Sequence, residues 1–99
     1  MLKSSAQAPR LDREMAETIA AQGLAFLAAE PQRLARFLAL TGLEAAELRA
    51  RIGAAEVLAA VLSFLAADES LLLTFAANGN IAPETIAAAL AVLEACDAP

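Results

Sequence analysis

Apolar residues recur in this chain at intervals of three and four, the period of a helix. Met15, Ile19, Leu24, Phe26 and Leu27 trace one stripe, beginning near Asp12 as N-cap with Glu14 in the first turn. Gly23 interrupts that stripe, which predicts a close approach by a neighbouring helix. Glu30-Pro31 separates it from a second stripe, in which Leu34, Phe37, Leu38 and Thr41 face inward and Gln32, Arg33 and Arg36 face water. Gly42 has the place of a left-handed helix end. A short third helix spans about 44–51, with Leu43, Leu48 and Ile52 inward and Glu47 four residues before Arg51, the spacing of a surface ion pair.

The second half is more apolar. A fourth helix over about 55–67 is hydrophobic nearly all round, through Val57, Leu58, Val61, Leu62, Phe64 and Leu65. A helix of that kind belongs at a domain centre or in an interface. Asp68 caps a fifth helix carrying Leu71, Leu72, Leu73 and Phe75, which Asn78-Gly79-Asn80 stops. Pro83 opens a sixth, whose stripe is Ile86, Leu90 and Leu93, and the chain frays after Cys96.

The pattern repeats at an offset of about 38 residues. Phe26-Leu27-Ala28-Ala29-Glu30 returns as Phe64-Leu65-Ala66-Ala67-Asp68. Leu24, Leu34, Phe37, Leu43 and Leu48 align with Leu62, Leu72, Phe75, Ile81 and Ile86 without a gap. The expected fold is an all-α compact bundle of about six helices, made of two similar three-helix halves. Two repeats are too few for a free-standing solenoid. The expected domain is 11–96, after a disordered tail over 1–10 and before a frayed end at 97–99.

Composition agrees. Alanine and leucine make up nearly half of the chain, with no Trp or Tyr. The length of 99 residues suits one domain. A formal net charge of -5 opposes nucleic-acid binding, and the seven cations, Lys3, Arg10, Arg13, Arg33, Arg36, Arg49 and Arg51, all lie in the first half. No apolar run is long enough for a membrane span. Joining Val57–Ala67 to Leu71–Ala77 would place Asp68 and Glu69 at mid-membrane.

Little here suggests catalysis. The chain has no histidine, so a serine–histidine nucleophile is excluded. The lone Cys96 has no cation near it in sequence and fits a reducing compartment. Asp68-Glu69 is too tight a break for a calcium loop. Gly23, Gly42, Gly53 and Gly79 lack phosphate-loop spacing. A helix-turn-helix reading of the Gly42 turn would put Glu44 and Glu47 against the bases, the wrong sign. No metal and no cofactor are expected.

A resemblance rests on Ala25-Phe26-Leu27-Ala28, Arg33-Leu34-Ala35-Arg36-Phe37-Leu38-Ala39-Leu40-Thr41-Gly42-Leu43, Phe64-Leu65, Asp68-Glu69-Ser70-Leu71-Leu72 and Pro83-Glu84. From about Glu14 to Leu93 the chain resembles DUF3572, a family of small alphaproteobacterial proteins of unknown function. Ala82 departs from it, standing where similar sequences place a capping Asp or Ser. The resemblance implies a bacterial cytoplasmic protein and assigns no catalytic residue.

The functional expectation is a non-enzymatic protein–protein interaction or regulatory module that uses an exposed apolar helix face. Its candidate surface is Leu71, Leu72, Phe75, Ile86, Leu90 and Leu93, with Arg33 and Arg36 as a polar rim. The partner is an unidentified protein or a second copy in a homo-oligomer. The alternative is a small-molecule or lipid binder with an apolar pocket between the halves. A nucleic-acid binder and an enzyme rank below both.

Overall fold

Six helices follow one another in the computed structural model, which describes residues 11–97, of Asp97 the backbone only. They are α1 (Arg13–Ala28), α2 (Pro31–Thr41), α3 (Ala45–Ala50), α4 (Ala55–Ala66), α5 (Glu69–Gly79) and α6 (Pro83–Asp97). No strand occurs among the described residues. The tail expected over 1–10 lies outside them, as do residues 98 and 99. The helical backbone of α6 continues through Asp97, one residue beyond the expected fraying point.

The helix ends follow local chemistry. The Asp12 carboxylate accepts from the Met15 N–H at 2.8 Å, and the Asp68 carboxylate from the Leu71 N–H at 3.1 Å. Glu30 makes no such bond, and Pro31 opens α2 instead, with φ preset and no N–H to satisfy. Gly42 ends α2 in the left-handed region at φ 75°. At the other end of α5, Asn80 and not Gly79 is left-handed, at φ 53°. Asparagine tolerates that conformation, and the Ile81 N–H then reaches back to the Ala76 carbonyl.

Three local expectations are corrected. Glu47 does not pair with Arg51: its carboxylate turns back to the Glu44 N–H in a capping box, and Arg51 pairs with Glu56 across the turn. Ile52 stays half outside, 50% exposed, because α3 ends at Ala50 and the turn carries Ile52 away from the core. Thr41 is exposed rather than inward, its hydroxyl satisfied by the Phe37 carbonyl at 2.8 Å.

The core lies where α1, α4 and α6 meet. Each of these helices packs on the other two. Leu27, Val61, Leu62, Leu65, Ala89 and Leu93 are wholly buried there. Gly23 permits the α1–α4 approach, since a Cβ on it would stand 3.0 Å from Leu65 Cδ1 and 3.2 Å from Val61 Cγ1.

The 38-residue echo is an architectural repeat. Pro31 and Glu69 open α2 and α5, and Ala45 and Pro83 open α3 and α6. Gly42 and Asn80, also 38 apart, are the two left-handed ends. Every echoed apolar pair shares a burial class. Leu24 and Leu62, Leu27 and Leu65, Phe37 and Phe75, and Leu48 and Ile86 are buried. Phe26 and Phe64, Leu34 and Leu72, and Leu43 and Ile81 are half-buried.

The halves also exchange partners. Phe26 of the first meets Phe75 of the second at 5.4 Å between ring centroids, and Phe64 of the second meets Phe37 of the first at 5.6 Å. Reciprocity of this kind is the mark of an approximate internal two-fold. It fails at the third helix: α3 has 6 residues and α6 has 15, so only α6 is long enough to cover both α1 and α4.

Candidate functional site

Three of the six apolar residues expected on a binding face are core. Phe75, Ile86 and Leu93 are buried, at 2%, 1% and 0% exposure. Phe75 packs on the Phe26 ring, and the Ile86–Leu93 stripe belongs to α6, which is packed against α1 and α4. For these three the expectation is corrected: they close the bundle. Leu71, Leu72 and Leu90 are half-buried, packed against the same core with part of each side chain accessible.

Arg33 and Arg36 do sit on an accessible face. They follow one helical turn apart on α2, which runs over the α1–α4 seam. The Arg33 guanidinium carbon lies 4.3 Å from the centroid of Phe26, on α1. That of Arg36 lies 5.6 Å from the centroid of Phe64, on α4. Both are within cation–π range. The rings are themselves held, Phe26 by Phe75 and Phe64 edge-on by Phe37.

Leu40 completes the face. It stands four residues after Arg36 and seven after Arg33, on the same side of the helix. At 72% it is the most exposed of the large apolar side chains among the described residues. The signal was present in the sequence: an apolar residue in phase with the two arginines on the wet face.

Beside Leu40 a groove of about 250 Å³ runs between α2 and α4, lined by Thr41, Ala60, Ser63, Phe64 and Ala67. A second hollow of similar size continues from Thr41 and Ala60 to Val57 and the Arg51–Glu56 pair. A separate apolar hollow of about 270 Å³ lies between Ile52, Leu58 and the alanines of α1.

Chemistry is sparse. Among the described residues, no group of three or more His, Cys, Asp or Glu side chains is placed to hold a metal ion. Cys96 is an exposed free thiol near the end of α6. Arg13 pairs with Glu17 at 3.1 Å. No helix among the described residues is long and apolar enough to cross a membrane; α4 and α5 reach that length only together, and they meet at a bend of 110°.

No curated protein and no solved structure matches the chain. The profile of one family matches residues 13–95, from the first residue of α1 almost to the end of α6. The chain thus belongs to the family described as protein of unknown function, DUF3572.

Proposed function

We propose that the protein is a non-enzymatic protein–protein interaction module that engages its partner through the α2 face and the adjoining α2–α4 groove. One observation carries this reading. Among the described residues the most exposed large apolar side chain, Leu40, stands in phase with two arginines that are held against aromatic rings, beside a groove walled by Phe64 and alanines. Aromatic side chains and arginine are enriched in protein–protein interfaces. The fit with family membership is coarse, since the family's own function is unknown. The same reading places the protein in a bacterial cytoplasm, where a lone thiol such as Cys96 stays reduced.

The test is affinity capture of the tagged protein from the cell that makes it, beside a Leu40→Asp variant. Leu40 is exposed, so the variant keeps its fold, checked by circular dichroism and thermal unfolding. A stoichiometric partner captured by the parent and lost by Leu40→Asp is the expected result. Capture of nothing, or of a partner indifferent to Leu40→Asp, overturns the reading.

A further inference from the structure

We infer that the α2 face is shaped for one class of partner, an amphipathic protein helix bearing two carboxylates about one turn apart. The inference rests on the interaction-module reading and adds the chemistry of what binds.

Among the described residues Arg13 and Arg51 have carboxylate partners, whereas Arg33, Arg36 and Arg49 have none. Of these three, Arg33 and Arg36 lie against aromatic rings. In a chain with 12 acids and 7 cations, a neighbouring acid would be easy to supply. The guanidinium carbons of Arg33 and Arg36 lie over the rings of Phe26 and Phe64 instead, 4.3 Å and 5.6 Å from the centroids. A cation–π contact uses none of the N–H donors, and arginine binds a carboxylate with two parallel hydrogen bonds. Arg33 also sits in the first turn of α2, at the positive end of the helix dipole, with no acid in that turn to offset it.

The internal repeat sets Arg33, Arg36 and Leu40 opposite Leu71, Thr74 and Asn78 of α5. The core positions of α2 and α5 share their burial, and each helix packs on both α1 and α4. The second half builds the same packing without arginine, so the cationic face of α2 is not a requirement of the fold.

Two cations on a molecule of net charge -5 are a weak lure for a phosphate backbone. The adjoining Leu40 and the groove walled by Phe64, Ala60 and Ala67 call for an apolar side chain. A helix with carboxylates three or four residues apart and an apolar residue one turn further supplies both.

The experiment selects binders to the intact protein from a display library of random 16-residue peptides. The expected winners carry Asp or Glu pairs three or four apart, followed by Leu, Ile or Phe. Their affinity should fall about tenfold or more with the Arg33→Glu/Arg36→Glu variant. It should fall less with Arg33→Lys/Arg36→Lys, and it should return to the Glu variant when the peptide acids become Lys. Each variant is first matched to the parent in circular dichroism and unfolding temperature. Winners without paired acids, no winners, or affinities indifferent to charge reversal overturn the inference. So does arginine-dependent binding of phosphatidylglycerol vesicles or a 20-base-pair DNA without any acidic peptide preference. A dimer in sedimentation that the same variant dissociates overturns it also, in favour of a second copy. Winners that lack acids but are lost on Leu40→Asp remove only the carboxylate assignment and leave the module reading standing.

Discussion

Asp68 and Glu30 occupy equivalent positions in the two halves and solve the same problem differently. Each stands at the break between a first and a second helix, in extended backbone, with φ -125° and -123°. The shorter Asp68 side chain reaches the Leu71 N–H, whereas Glu30, one methylene longer, makes no cap bond and relies on Pro31. The α5 start therefore depends on one carboxylate. Asp68→Ala should lower stability by about 1 kcal/mol, and Asp68→Ser or Asp68→Asn should restore most of it. Glu30→Ala should change little. Equilibrium urea unfolding of the four variants checks this, and equal losses at Asp68 and Glu30 would contradict it. Asp68 was legible from its side-chain type and place, since capping is a local interaction. The fate of Glu47 was not: its sequence offers both a backbone N–H at Glu44 and a guanidinium at Arg51, and only the turn that brings Glu56 to Arg51 decides between them.

Among the elements, the α1–α4 crossing is the sharpest constraint. Gly23 and Val61 are 38 residues apart, hence equivalent under the repeat, yet they face each other. A residue and its own equivalent can touch only close to the approximate two-fold axis. Two bulky side chains cannot both occupy that place, and here one of the pair is glycine. Gly23→Val should destabilise the protein by about 1–3 kcal/mol through overpacking. Adding Val61→Ala should relieve part of that loss, so that the double variant is more stable than the sum of the two single changes implies. Strict additivity in denaturant unfolding would refute the contact. The sequence pointed to a close approach at Gly23, because glycine inside a helix is otherwise a cost of about 1 kcal/mol. It did not name the opposing helix, for any of the apolar stretches could have served.

For the molecule as a whole, α6 is the element that turns two open halves into a closed bundle. Its buried face, with Ile86, Ala89 and Leu93, lies against both α1 and α4. No other third helix covers them, since α3 is a single capped turn and a half. A chain ending at Asn80 keeps five helical segments in sequence but exposes the faces of α1 and α4 against which α6 packs. It should lose cooperative thermal unfolding and associate in sedimentation, because a domain this small has little stability to spare. A truncated chain that stays monomeric and melts cooperatively would show that α6 is an accessory.

Helix number, the places where helices stop, the caps at Asp12 and Asp68 and the repeat were all readable from the chain, because they rest on contacts within a few residues or on a period. The assignment of apolar faces was not. Phe75, Ile86 and Leu93 have the composition of a docking surface and lie in the core, while Leu40, one leucine among many, is left in water, more fully than Met15, Ile52 or Leu73. Periodicity states which side of a helix is apolar, and it is silent on whether a neighbouring helix is there to cover it. That depends on the length of α6 and on where α2 crosses the seam between α1 and α4, which are properties of packing between residues far apart in the chain.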